Sequence, residues 1–387
     1  MGFLMKLSIV GKLVFLIGLL GCNKLILRQP VVTDENDWKM FAGSIQRLNF
    51  TGEELAPPLV KVWEYDASAG FGPFGVTING NIICLGNLCG EVHLIDKING
   101  KGLGMKDFGP AIYAPPLLDA NLLFLALSVE NGSLLAYDLS RGSIVWRKSI
   151  GRIESAILLL DNSIIVNTVD NGLISIDKKD GSVIWKYQQF NNHRQSTSHS
   201  SPAAYGETIV YGADDGSIVA VNSHDGSPRW QKRVGSGLAA TPSIQENNIF
   251  IGTLDGKVLS LELSTGNILW STDVGGKIYS SAAVGEGKIF VVTAGSEVLC
   301  LKKGTGEIIW RFTLGGVLGS SPLLSGNILY IGSFDKHLYA VESNSGKVIW
   351  KYKAEGRIVS PPVLSNGLLY ILTEDRSLVA LRKGESD

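Results

Sequence analysis

From about residue 60 onward the chain alternates short apolar runs with polar, glycine-bearing turns, and the alternation keeps one period. Runs such as Ile328-Leu329-Tyr330-Ile331 are too short for helices and are bounded by turn residues, which predicts β-strands. Asn131-Gly132, Asn171-Gly172, Asp215-Gly216 and Asp255-Gly256 follow such runs, and these dipeptides accept the positive φ that tight hairpins require. A third strand reads Leu-x-Ala-hydrophobic, as in Leu338-Tyr339-Ala340-Val341, and a Gly-x-x-x-Trp motif then turns the chain into a fourth. Ahead of each set stands a small or proline-bearing strand: Pro115-Pro116, Ser200-Ser201-Pro202, Thr241-Pro242, Ser320-Ser321-Pro322 and Pro361-Pro362. Proline is tolerated in an edge strand, so this first strand is predicted to line an open edge.

The Gly-x-x-x-Trp motif recurs at Gly142–Trp146, Gly181–Trp185, Gly226–Trp230, Gly266–Trp270, Gly306–Trp310 and Gly346–Trp350, with a worn copy at Gly100–Gly104 that has lost its Trp. With the isolated Trp63, the marked positions are spaced 41, 42, 39, 45, 40, 40 and 40 residues apart. Each Gly serves a turn barred to residues with a Cβ, and each indole buries ~150–250 Å² against a neighbouring unit. Four short strands per ~40 residues, repeated radially, make a propeller; a straight solenoid is the rival and needs polar caps at both ends. The termini separate the two. The last repeat, from Arg357 to Leu381, supplies three strands, and Val60-Lys61-Val62-Trp63-Glu64-Tyr65 is an orphan fourth. Pairing them closes the ring and removes two exposed edges. The predicted fold is all-β: an eight-bladed β-propeller of four-stranded antiparallel blades over residues 59–383, closed by an N-terminal strand that completes the last blade.

The first residues read as an address. Lys6 and Lys12 surround the start of an apolar run, Leu13 to Leu20, that ends in Leu19-Leu20-Gly21-Cys22. A basic start, a short apolar stretch and a small residue before the break describe a secretory signal over residues 1–22, and the run is short of the ~20 residues of a membrane span. Leu-Leu-Gly-Cys resembles the bacterial lipobox, which implies lipidation of Cys22; the plain alternative is a signal peptide with an incidental Cys. Several acyl chains, at ~0.8 kcal/mol per buried CH₂, give durable anchoring. Asn23 follows where enteric inner-membrane retention favours Asp, so the resemblance implies the outer membrane. Residues 23–58 are expected to be a tether and lead-in.

Composition adds detail to this picture. Gly numbers 46, hydrophobic residues make up 45% and charged residues 18%, a strand-and-turn balance and not that of a disordered chain or coiled coil. A formal net charge of −1 leaves no global footprint for nucleic acid. Cys300 falls in the column occupied by Ala340 and Ala380, which points to a small buried packing role. Cys84 and Cys89 flank a hairpin tip, where only some registers allow a disulfide, so both states stand open.

The beat of Ser-x-Pro, Val-Tyr-x-Gly, Asp-Gly, Leu-x-Ala-Leu-Asp and Gly-x-x-x-Trp over residues 60–382 resembles the pyrroloquinoline-quinone-like (PQQ-like) propeller repeat, and Asp37-Trp38-Lys39-Met40-Phe41-Ala42-Gly43 is similar to a lead-in that precedes such propellers. That repeat is specific for fold and weak for function. Eight blades behind a lipobox resemble the BamB family of lipoproteins. The likeness implies a scaffold in the outer-membrane β-barrel assembly machinery that docks on the machine's periplasmic domains. The lead to the fourth blade is lengthened at Gln189–Ser198, and the resemblance implies partner contacts there: Asn191, Asn192, His193, Arg194 and Gln195. Arg194, eight residues ahead of Pro202, carries over from an Arg that stands closer to its proline in that family.

Other chemistry finds little support in the residues. A quinone-dependent dehydrogenase needs an anion pocket and a Ca²⁺ cage of carboxylates and amides, whereas the first strands offer Ser, Pro, Ala and Thr. Ser196-Thr197-Ser198-His199-Ser200-Ser201 invites a nucleophile reading, yet Ser200-Ser201 recurs as Ser280-Ser281 and Ser320-Ser321, so the repeat explains it. His193 and His199 lack further ligands for a metal. Arg152, Lys277 and Arg357 each follow a glycine at the start of a first strand, in the third, sixth and eighth blades. They are expected on one rim of the channel, as solvated loop cations or as receivers of an acidic segment or carboxylate. Three functions are carried: a non-catalytic, lipid-anchored scaffold facing the periplasm, a ligand-binding or sensing propeller of the envelope, and a PQQ-dependent dehydrogenase. The first, as a monomeric propeller with protein partners and no cofactor, is the expected one.

Overall fold

The computed structural model describes residues 24–384, apart from 29, 30, 32, 170, 171, 189, 192, 193 and 196. Eight sheets carry four antiparallel strands each, running outward from a short first strand. We number the blades by those first strands: Thr77–Asn79, Leu117–Asp119, Leu158–Leu159, Ala203–Tyr205, Ser243–Gln245, Ala283–Val284, Leu323–Ser325 and Val363–Ser365. First strands touch between blades one and two and from blade four through blade seven. The prolines expected within them sit just ahead of them instead. Second strands such as Thr208–Gly212 are wholly buried, while fourth strands such as Ile268–Asp273 are half exposed, as stacked sheets with one outer edge require. Leu59–Asp66 pairs with Ser377–Lys383, from Leu59 opposite Lys383 to Asp66 opposite Ser377. The ring is closed by its own N-terminal strand.

Each fourth strand carries a bulge immediately before the marked position, as between Ile144 and Trp146 or around Leu269. A bulge changes the face on which the following side chains lie, and here the indole meets the next blade. Five indole N–H groups donate to a backbone carbonyl in the next blade's last turn: Trp146 to Lys178 (3.1 Å), Trp185 to Ser223 (3.0 Å), Trp230 to Leu263 (2.8 Å), Trp270 to Lys303 (2.9 Å) and Trp310 to Ser343 (3.1 Å). Under each ring lies the next Gly-x-x-x-Trp glycine. At Gly306 the φ is +71° and a Cβ would fall 2.4 Å from the Trp270 ring, so both backbone and space demand glycine.

Blade one has no indole, and its seam with blade two is filled from elsewhere. Leu25, 1% exposed, lies where a Cβ on Gly104 would come within 2.8 Å of it, and Ile26 covers Gly142. The carbonyl of Leu139, equivalent to those that accept indole protons elsewhere, accepts the backbone N–H of Leu27 at 2.8 Å. The Leu25 N–H donates to the Tyr137 hydroxyl at 3.1 Å. Residues 24–27 thus stand in for the missing tryptophan.

The chain then crosses one mouth of the channel. Carbonyls of Trp38, Ile45, Gln46, Leu48 and Asn49 accept N–H groups of Ile78, Ala204, Ile244, Val284 and Leu324 in five first strands. Phe50–Thr51 adds to blade seven as a parallel fifth strand, and the Glu53 carboxylate takes the N–H groups of Asn366 and Gly367 in blade eight. Unpaired inner edges cannot be left dry without cost; the lead-in satisfies those of five blades. Arg47, fully buried, donates to the carbonyls of Phe41 (2.6 Å), Ile157 (3.0 Å) and Pro202 (3.0 Å). Burial pulls its pKa down to about 9, still above neutrality, so the guanidinium stays charged. Within the stretch expected as tether and lead-in, residues 24–27 pack in a seam and residues 38–53 in the channel mouth.

The three cysteines of the described region are free. Cys84 is buried in a second strand and Cys89 exposed in the following turn. Cys300 faces Trp310 across the strand pair, as Ala340 faces Trp350 and Ala380 faces Trp63. Burial pushes the Cys84 and Cys300 thiols up to about 12, so both are inert at neutral pH.

Candidate functional site

One face of the wheel is made of two loop sets: those leading into each first strand and the hairpins between second and third strands. Eight backbone hydrogen bonds of one kind stitch them together. The carbonyls of Gly70, Ala111, Arg152, Thr197, Gly237, Lys277, Val317 and Arg357 each accept an N–H from the facing hairpin, at 2.8–3.1 Å. Arg152, Lys277 and Arg357 therefore occupy one structural position in blades three, six and eight. Arg357 pairs with Glu374 at 3.4 Å and lies 6.0 Å from the Phe334 ring centroid. Its side chain is 55% and that of Glu374 58% exposed, so this pair is a weak surface contact.

At the lead to blade four, Phe190–Asn191 and Arg194–Gln195 form a two-stranded sheet of their own, with Asn191 opposite Arg194 and Phe190 opposite Gln195. Asn192 and His193 lie outside the described residues, as does Cys22. The base of this hairpin is pinned. Thr197 Oγ1 donates to Asp214 at 2.7 Å, His199 Nδ1 lies 2.8 Å from the same carboxylate, and His199 Nε2 lies 3.5 Å from Glu154 of blade three. The sequence reading assigned His199 no role; its two carboxylates, Asp214 of the same blade and Glu154 of blade three, lie apart in sequence and carry no motif.

The serine run is structural. Ser198 and Ser200 hold Asn167 of blade three, with Nδ2 at 2.6 Å from Ser198 Oγ and 2.8 Å from the Ser200 carbonyl. Ser201 Oγ accepts the Ala156 N–H at 2.9 Å, and Ser321 Oγ accepts the Ser281 N–H at 3.0 Å. These hydroxyls link blade three to blade four and blade six to blade seven. Among the described residues no three metal-ligating side chains converge.

What the sequence reading missed outright is the strut of residues 24–27 and the buried Arg47. The worn Gly100–Gly104 copy was the available signal for the first, since a lost indole leaves a slot and Leu25-Ile26-Leu27 is an apolar run without another partner.

The curated sequence relatives point to one family, while the solved structures share only the fold. An outer membrane protein assembly factor BamB of Moranella endobia is 35% identical over 113 residues, a match spanning 29% of this chain and 28% of that relative, so less than a third of its length is covered. Among solved structures, BamB from Moraxella catarrhalis superposes with a TM-score of 0.70 at 17% identity, over 84% of this chain and 99% of that one. A europium-containing methanol dehydrogenase superposes with a TM-score of 0.78 at 12% identity, over 90% of this chain and 98% of that one. At such identities both superpositions speak for the propeller alone. The sequence model of the family described as outer membrane protein assembly factor BamB matches residues 88–276, 233–301 and 294–386. With that match running through seven consecutive repeats of an eight-bladed ring, this chain belongs to the BamB family of outer membrane protein assembly factors.

Proposed function

We propose that the protein is a non-catalytic scaffold of outer-membrane protein assembly, anchored by lipid at Cys22 and facing the periplasm. It docks on the barrel-assembly machinery through the loop face that bears the blade-four hairpin and the three rim cations. The observation that carries this reading is the family match over residues 88–386. The geometry supports it: indoles, serines and the lead-in tie each blade to its neighbour, so the loops stand on a rigid frame, where binding residues tend to lie. A quinone–calcium centre would need convergent carboxylates. The first strands carry mainly apolar residues, as in Leu117–Asp119 and Val363–Ser365, and the Arg47 guanidinium packed against them is occupied by three carbonyls.

The reading is tested with purified protein and the periplasmic domains of the barrel-assembly machine from the same cell. Wild-type protein binds, and Arg194→Ala weakens binding about tenfold, a loss of ~1.4 kcal/mol. The triple change Arg152→Ala, Lys277→Ala and Arg357→Ala chiefly slows association at low salt. Absence of binding by wild type overturns the docking role. Lipidation is read separately, by incorporation of labelled acyl chains that Cys22→Ser abolishes.

A further inference from the structure

We propose that the rim of blades one and two, around the turns between their third and fourth strands, is a lipid-facing surface. It rests on the anchoring of Cys22 and deepens it by saying which side of the wheel meets the bilayer. The position follows from the strut. Cys22 is two residues from Lys24, and two residues span at most about 7 Å. From Leu25 on, the chain is fixed: Leu25 N–H to Tyr137, Leu27 N–H to Leu139, and Leu25 and Ile26 over Gly104 and Gly142. An acylated Cys22 therefore brings this seam to the headgroups; a free tether would leave the wheel's orientation open.

The surface around the strut has the composition a headgroup region favours. Ile26, Ile98, Leu103 and Ile144 are 41%, 55%, 42% and 44% exposed, and Ile26, Ile98 and Leu103 line one cavity together with Lys24 and Arg28. Lys101 and Arg141 stand exposed on the same two turns. The carboxylates of those turns are engaged as caps: Asp96 accepts the N–H groups of Ile98 and Asn99, and Asp138 accepts those of Ser140 and Arg141 and pairs with the Arg141 guanidinium at 3.4 Å. Apolar side chains beside cations suit an anionic lipid surface. In an antiparallel meander these turns lie on the face opposite the loops that carry Arg152, Lys277 and Arg357. The candidate docking face thereby points away from the membrane.

The test uses the full acylated chain on vesicles of phosphatidylethanolamine and phosphatidylglycerol that carry lipid-borne quenchers. In a Cys89→Ser background, a fluorophore is placed at Leu103→Cys or at the equivalent bulge position on the far side of the ring, Leu269→Cys. Quenching at 103 is expected to exceed that at 269 several-fold. Leu27→Pro removes the N–H to Leu139, and it should bring the two labels together in quenching while acylation and vesicle flotation persist. Equal quenching of the two labels in an acylated, floating chain overturns the surface and leaves the anchor standing. A wild-type chain without acyl groups overturns both.

Discussion

Blades five and six are joined by a side chain that blade five itself supplies; blades one and two are joined by a main-chain segment that arrives from outside the repeat. At the first seam Trp270 covers Gly306 and donates to the Lys303 carbonyl, 33 residues away. At the second, Leu25 and Leu27 fill the slot and donate across separations of 112 residues, as from Leu25 to Tyr137. Equivalent carbonyls are satisfied in both, yet the second contact closes a much longer loop and orders chain that belongs to no blade, which costs more entropy. A seam built from local parts forms with its blades, whereas one built from the N-terminal segment waits for it and is the first to open. The closing seam between blades eight and one is intermediate. Trp63 packs beside Gly100, but Tyr370 already donates to the Lys97 carbonyl at 3.1 Å, and the Trp63 indole N–H has no protein partner.

This contrast is broken most severely at an indole. Trp185→Ala removes a ring only 7% exposed and its hydrogen bond to Ser223; a loss of about 3–5 kcal/mol is expected, read as a fall in the urea midpoint. Leu25→Ala should cost less, about 2–3 kcal/mol, since the Leu27 N–H remains on Leu139. Hydrogen exchange should then rise first in blades one and two and leave blades five and six protected. A double-mutant cycle sharpens the equivalence of the two devices. Gly104→Trp alone should destabilise, because a Cβ there already meets Leu25 at 2.8 Å. In a Leu25→Gly chain the same change should be neutral or stabilising, with a coupling energy of about 1–3 kcal/mol.

The smallest effect concerns the closing seam and pH. His93 is 4% exposed, with Tyr65 Oη of the closing strand at 2.9 Å from Nδ1 and Glu91 at 3.3 Å from Nε2. Burial holds its pKa below the ordinary value of 6.5, against a weaker pull upward from Glu91. The unfolded chain then binds the proton more readily, so stability is intact above about pH 6.5 and falls as pH drops through that value, levelling off below the folded pKa. Urea titrations on either side of that window should show the slope, and His93→Gln should flatten it.

Residues that recur were legible. The glycines under the indoles, the Ser-Ser pairs and the orphan strand at Trp63 each appear at a fixed phase, and a shared phase means a shared position in every blade. The same logic put Arg152, Lys277 and Arg357 in one column, where all three carbonyls meet a facing hairpin. Arg47 and Leu25 recur nowhere. A lone Arg in a lead-in reads as a surface cation, and an apolar triplet after an expected export segment reads as more of that segment, because nothing in a one-dimensional pattern shows the slot it fills.

By itself, then, the amino-acid order determined the blade, its repetition and the closure of the ring, all of which follow from short-range periodicity and turn chemistry that each repeat carries within itself. The tertiary structure alone decided what occupies the channel mouth and the seam without an indole. Those spaces exist only once the blades are assembled, and the groups that fill them are chosen by unpaired donors and acceptors that no single repeat contains.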